Sequence, residues 1–310
     1  MGISCQLFSQ QLPLFSQYRE YQTFINPASV GSNYLSYEQN ISFGVSYRSQ
    51  WQGIEGAPKT AILRGDYMNK QGSPVNLLAG AYLINDQTGP TGFTGLYGRV
   101  GGVLSDDPYF SGIAAGLSFG MVQYRVNSSE IRLRQPNDVL SVDDQTKIFP
   151  DVGLGVFAYK QFERGFFDGD YVYGGISVPQ VMGLDLTFKD DDGEFSTRRV
   201  QHFYATAGYY KFFGKNGFLE PSVWLKYTPN APVNIDFNLR YQMAQNFWVG
   251  GGGSTAGTMH AEVGFLLGEN LNFENTLKIG YSFDYFYRSY GPYTGGSHEI
   301  NITYSIDDSY

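Results

Sequence analysis

Val233, Ile235, Phe237, Leu239 and Tyr241 alternate with Asn234, Asp236, Asn238 and Arg240. Successive side chains of an extended strand point to opposite faces, so this run has one apolar and one polar face. The same reading holds for Leu277, Ile279, Tyr281, Phe283 and Tyr285 against Lys278, Gly280, Ser282 and Asp284. It holds for Ile300, Ile302, Tyr304 and Ile306 against Glu299, Asn301, Thr303 and Ser305, and near the start for Ile41, Phe43, Val45 and Tyr47 against Ser42, Gly44, Ser46 and Arg48. From residue 37 onward this alternation dominates, and no segment carries a convincing helical period.

Two solvent arrangements produce such strands. In a soluble sandwich the apolar faces meet each other. In a membrane barrel they meet lipid and the polar faces line the lumen. Three features favour lipid: the apolar faces end in aromatic residues, the polar faces are rich in Gly, Ser and Asn with charges of both signs, and the alternation spans nearly the whole chain. The expected fold is therefore all-β, a transmembrane antiparallel up-and-down barrel of about fourteen strands. They are placed near 37–51, 59–69, 76–85, 91–104, 110–126, 151–162, 170–178, 200–213, 217–227, 233–242, 246–254, 258–267, 274–287 and 297–306. With both termini periplasmic, the short turns NKQGSP, SDDP, FGKNG and MAQN fall on one side. The two longest connections, about 127–150 and 179–199, fall on the other, which is the asymmetry of outer-membrane barrels.

Composition sharpens this picture. Charged residues are 16% of the 310 positions, against roughly 25% in an ordinary soluble domain, while aromatics reach 17% and glycines number 39. A net charge of −8 argues against nucleic acid as a partner, since phosphate contacts need clustered Lys and Arg. The single Cys5 excludes an intrachain disulfide framework and a multi-cysteine metal site. No apolar run is long enough for a spanning helix, which leaves closed barrels as the route across a membrane.

The chain divides into three parts. Residues 1–10, MGISCQLFSQ, lack a basic n-region and a long apolar h-region and read as the remnant of a leader, with Met1 an abbreviated start. Residues 11–36 are too apolar to float freely (Leu12, Leu14, Phe15, Tyr18, Tyr21, Phe24, Ile25) and are expected to pack in the periplasmic mouth, as a plug, or on a periplasmic partner. Residues 37–310 form the barrel.

The segments QLPLFSQY (11–18), INPA (25–28), YRSQWQGIEGAPKT (47–60), NDQTGP (85–90), LEPSVWLKY (219–227) and GSHEINITY (296–304), in this order, resemble the PorP/SprF family of outer-membrane proteins associated with the type IX secretion system of Bacteroidetes. The resemblance covers essentially residues 11–306. It implies a barrel in the bacterial outer membrane, in contact with its lipid and lipopolysaccharide, that works with periplasmic and outer-membrane components of the secretion and gliding machinery. It also implies a role in exporting or anchoring a large secreted surface adhesin.

Two groups of residues stand out. Gln50, Trp51, Gln52, Ile54, Glu55 and Pro58 belong to the first outer connection, where Gly53, Gly56 and Pro58 suit a rim turn and Trp51 suits an interfacial belt. That connection reads either as a docking loop for a secreted partner or as a structural turn over the barrel mouth. Tyr290, Tyr293 and His298, at the last outer connection, are candidates for the same contact. By parity Arg48, Arg64, Asp66, Glu220, Lys226, Asp236, Arg240, Lys278, Asp284 and Glu299 point into the lumen. Unpaired charges in a confined interior are costly. Mixed signs therefore favour a plugged lumen with mutual salt bridges over an open, selective pore.

Site chemistry is otherwise sparse. The acidic runs Asp143-Asp144 and Lys189 to Glu194 do not match the ligand spacing of an EF-hand loop, so no metal and no cofactor are expected. Ser254, in GGGSTAG, lacks the closing glycine of a nucleophile elbow. Of the three histidines only His298, beside Glu299, is worth testing as a catalytic group. The expected function is non-enzymatic; the alternative is a diffusion or substrate-specific channel.

Overall fold

The structure, a computed structural model, describes residues 15–70, 74–127, 145–163, 168–183, 185–190, 193–198, 200–214, 217–243, 246–268, 275–288 and 291–308. Fourteen antiparallel strands close on themselves. They are β1 (Ile41–Ser49), β2 (Lys59–Met68), β3 (Val75–Thr88), β4 (Thr91–Leu104), β5 (Ser111–Val126), β6 (Gln145–Gln161), β7 (Tyr171–Val178), β10 (Phe203–Phe213), β11 (Gly217–Tyr227), β12 (Asn234–Met243), β13 (Phe247–Ser254), β14 (Thr258–Leu267), β15 (Thr276–Phe286) and β16 (Ser297–Ile306). Each strand pairs with its sequence neighbour. The seam is β1 on β16, in register from Ile41↔Ile306 to Ser49↔His298. Closure leaves no sheet edge, which is the condition for strands to exist in hydrocarbon. No described helix is long and apolar enough to cross a membrane.

The alternation sorts side chains as a lipid solvent requires. Phe237 is 58% exposed, while its neighbours Asp236 and Asn238 are 8% and 5% exposed. The same inversion repeats along β1, β15 and β16, where Phe43, Val45, Ile279, Ile300 and Ile302 face outward. Outward tyrosines mark both rims: Tyr47, Tyr227 and Tyr285 at the end where β1 finishes, Tyr241 and Tyr304 at the end where it begins. Such girdles fix a barrel's depth in a bilayer. The mouth at which β1 begins and β16 ends is called proximal below, and the opposite one distal.

The strands agree with the expected ones except at three places. The first strand begins at Ile41 rather than near 37, since Tyr37 closes α2 (Ser32–Tyr37). β6 starts at Gln145 rather than near 151, and pairs with the whole of β5 as far as Val126↔Gln145. The connection 179–199 holds a hairpin of its own, β8 (Asp185–Asp190) on β9 (Gly193–Arg198). Alternation alone misses it because the hairpin stands outside the barrel.

The segment 15–37 fills the lumen as a 3-10 turn (Tyr18–Tyr21), α1 (Gln22–Ile25) and α2. Its apolar residues join two clusters with the wall. Phe15, Tyr18, Tyr21 and Phe24 pack with Tyr82, Ile84, Tyr204 and Trp224 toward the distal mouth. Val30, Tyr34 and Leu35 pack with Tyr159, Tyr173, Tyr210 and Phe218 toward the proximal mouth. The segment therefore runs through the barrel, Ser16 lying beside the distal end of β1 and Tyr37 beside the proximal start of β11. It lies against the wall where the wall has no side chains. A Cβ on Gly116 would sit 2.4 Å from the Pro27 carbonyl oxygen, and one on Gly155 2.0 Å from Asn26 Oδ1. Asn26 Nδ2 instead donates to the Val156 carbonyl at 2.9 Å.

Candidate functional site

Two adjacent residues of the lumen segment carry opposite charges, and each meets wall groups of the other sign. Arg19 is paired with Glu220 of β11 at 3.2 Å and with Glu262 of β14, and its Nη1 donates to Asn238 Oδ1 at 2.5 Å. Glu20 is paired with Arg240 of β12 at 3.0 Å and with Lys278 of β15 at 2.8 Å, and Arg64 of β2 stands 3.9 Å away. All these groups are buried. Glu20 lies on the segment, not on a spanning strand. Burial pushes its carboxyl up, but Lys278, Arg240 and Arg64 pull it further down, so it is held well below the usual carboxylate range. The wall pairs only part of this charge by itself, through Arg64 with Asp66 at 3.3 Å and Arg240 with Glu262 at 4.0 Å; Lys278 and Glu220 meet their ionic partners on the segment.

A second cluster lies nearer the distal mouth. Arg48 is 2.7 Å from Asp284 and 3.0 Å from Glu299. Its Nη1 donates to Ser16 Oγ at 2.6 Å, and Ser16 Oγ donates to Asp284 at 2.5 Å. The backbone N–H groups of Ser16 and Gln17 donate to the Glu299 carboxylate at 3.0 and 3.2 Å. On the other side Asp66 accepts from Arg64 at 3.3 Å and from Arg99 at 2.9 Å, and Arg99 also caps the carbonyls of Pro27 and Ser29. Lys226 pairs with Asp236 at 2.5 Å and lies over the Trp224 ring.

Every lumen charge expected from parity thus faces inward and has an ionic partner. The sequence reading omits Arg99 and Glu262, and the two segment charges Arg19 and Glu20. Glu262 was accessible to the same rule, since Met259, Ala261, Val263 and Phe265 mark the outward face of β14. Arg19 and Glu20 had a weaker signal, two opposite charges set in an otherwise apolar stretch.

At the distal mouth the connection 50–58 is tied down by backbone bonds. Gln50 N–H donates to the Pro58 carbonyl at 2.9 Å, Gln52 N–H to Gly296 at 3.1 Å and Gly53 N–H to Thr294 at 3.1 Å. Gly89 N–H donates to the Gly56 carbonyl at 2.7 Å, and Trp51 N–H to Ser297 Oγ at 3.2 Å. Trp51 has φ 43°, left-handed backbone that a bulky residue adopts only when its surroundings impose it. Ile54 and Glu55 are exposed, and Tyr293, on the short helix α3 (Gly291–Thr294), is 81% exposed. Pro58 is half-buried at the base of the loop. Beside it a cleft of about 500 Å³ is lined by Ser49, Gln50, Gln52, Glu55, Lys59 and Gln87, among others.

Tyr290 and the run Asp143-Asp144 lie outside the described residues, as do Asp191 and Asp192. His298 does not work with Glu299. Glu299 is buried in the lumen, whereas His298 lies on the opposite face, its Nδ1 2.6 Å from Tyr281 Oη and its ring against Phe283. Among the described residues no cluster of His, Cys, Asp or Glu could hold a metal ion.

The family described as type IX secretion system membrane protein PorP/SprF matches residues 7–304. Among solved structures the chain is similar to a Pseudomonas aeruginosa FadL homologue, with TM-score 0.55, 9% identity and coverage of 93% of this chain and 94% of that one. It is also similar to the P. putida toluene transporter TodX, with TM-score 0.53, 9% identity and coverage of 93% and 94%. At this identity the likeness is one of fold. No curated protein matches the sequence.

Proposed function

The chain belongs to the PorP/SprF family of type IX secretion system membrane proteins, and from that membership we propose that this outer-membrane barrel is a non-enzymatic platform rather than a conduit. The distal mouth faces the cell exterior, and the start of β1 and the end of β16 face the periplasm. The distal connections 50–58 and 291–296 hold a large secreted adhesin at the surface. The proximal mouth meets the periplasmic secretion or gliding machinery. The observation that carries the reading is the lumen, occupied from mouth to mouth by residues 15–37 and held by ion pairs on both sides of Arg19 and Glu20. A diffusion channel needs a hydrated path that such packing removes.

Purified protein in a planar bilayer, together with affinity capture from native outer membranes, tests this. Electrical silence with co-purification of a high-mass surface protein is expected. A large steady current without such a partner favours the channel.

A further inference from the structure

The distal cleft lies between the 50–58 connection and the outer ends of β2 and β3, where Lys59 and Gln87 are register partners. The loop has spent its backbone groups on its own folding, through the bonds to residues 58, 294 and 296 and the bond from Gly89. Its side chains have not been spent. Among the described residues Gln50, Gln52, Gln87, Glu55 and Lys59 make no side-chain hydrogen bond or ion pair. The frame is rigid and its polar groups are unengaged, which is the condition for binding without a large ordering cost. Its volume of about 500 Å³ is within the range of ligand pockets.

The chemistry of the lining selects the occupant. A primary amide offers both a donor and an acceptor, which complements the alternating N–H and C=O groups of an extended peptide. Glu55 and Lys59 add one charge of each sign, so neither a polyanion nor a polycation is favoured. Ile54 and Ala57 give a small apolar patch able to seat an alternate side chain of a strand. A sugar ring is ordinarily gripped by an aromatic face, and none lines this cleft.

We propose that the cleft bounded by Gln50, Gln52, Glu55, Lys59 and Gln87 binds an extended polypeptide segment of the exported partner, read chiefly through its backbone. The assignment rests on the platform role above and adds the site and the ligand class to it. Binding by backbone tolerates varied side chains, so one barrel can hold a segment without a strict sequence motif. The site also lies above the Arg48, Asp284 and Glu299 cluster, since Ser297 Oγ, which accepts from Trp51, is two residues from Glu299.

The experiment uses the full-length barrel in intact cells, with a photocrosslinking amino acid placed singly at Gln52, at Gln87, and at Ala231 on the distal connection between β11 and β12. Adducts from positions 52 and 87, but not 231, that mass spectrometry maps to one stretch of an exported protein are the expected result. In parallel, the triple variant Gln50→Ala, Gln52→Ala, Gln87→Ala should lose co-purified partner about tenfold or more, with the amount of folded barrel unchanged. Adducts that run as a lipopolysaccharide ladder overturn the assignment. So does normal co-purification from the triple variant with no adduct at 52 or 87, a result that leaves the platform role standing. Failure of the unmodified barrel to co-purify any surface protein removes the platform role, and the cleft assignment with it.

Discussion

Glu20 is the residue on which three of the lumen's cations converge. Arg240, Lys278 and Arg64 come from three strands; without the carboxylate Arg240 and Arg64 keep Glu262 and Asp66, but buried Lys278 loses its ionic partner. Removing one partner of a buried ionic contact costs about 3–5 kcal/mol, because the remaining charge keeps its desolvation penalty. Glu20→Gln should therefore lower the stability of the refolded barrel by that amount, read as a shift of the urea midpoint in detergent or liposomes. A shift under about 1 kcal/mol, the scale of an exposed pair, would mean that water reaches these cations. Tyr293 presents the contrary case at the same scale. It is 81% exposed and has nothing to lose structurally, so any effect of changing it belongs to a partner.

The strands were legible because a barrel wall separates two solvents, and the period of two is the direct record of that separation. The lumen charges were legible for the same reason: Asp236 and Arg240 share parity with the polar face and could point only inward. The segment 15–37 was harder. Its apolar residues announced burial, but its path depends on which wall positions lack a side chain, and glycine has no parity to read. Gly116, Gly155 and Gly175 form the seat of Asn26 and Pro27, and only the assembled sheet brings them together. The first strand begins four residues later than parity suggests because Tyr37, in step with Ile41, Phe43 and Val45, closes α2 instead. Filling the seat should undo the segment's docking. Gly155→Val puts carbon where Asn26 Oδ1 lies, and its expected outcome is a steady current in a planar bilayer where the parent is silent. A closed trace, with the segment still protected from protease, would show that the seat is dispensable.

At the scale of the whole molecule the interior and exterior exchange the roles they have in a soluble protein. The outside is oily, and the inside is a polar solid braced by ionic contacts and two aromatic clusters. Glu20 gives the grip on the lumen segment a defined response to acid. The folded-state pKa of Glu20 is depressed, so its contribution to stability is fully present above the ordinary carboxylate value and is lost as pH falls through the depressed one. The lumen segment should stay seated from neutral pH down to about pH 4 and loosen only below it. Accessibility of a cysteine introduced for Ser16 to a water-soluble thiol reagent, in a Cys5→Ser background and followed across that range, checks this. Release beginning near pH 6, above the ordinary carboxylate range, would show that the Glu20 pairs are not what holds the segment.

The passage of one segment from mouth to mouth also bears on how such a cylinder is assembled. Arg19 and Glu20 are gripped by strands from β2 to β15, yet the zipper between first and last strands joins residues 41–49 to 298–306. Once that zipper is fastened, the segment could enter only end-on through the proximal mouth, drawing two ionised groups past Tyr159, Tyr210 and Phe218. If the later hairpins instead curl around a core laid down first, those groups meet their counter-ions as each strand arrives. The N-terminal stretch is then the mandrel on which the sheet is rolled, and the last strand the lap joint that seals it.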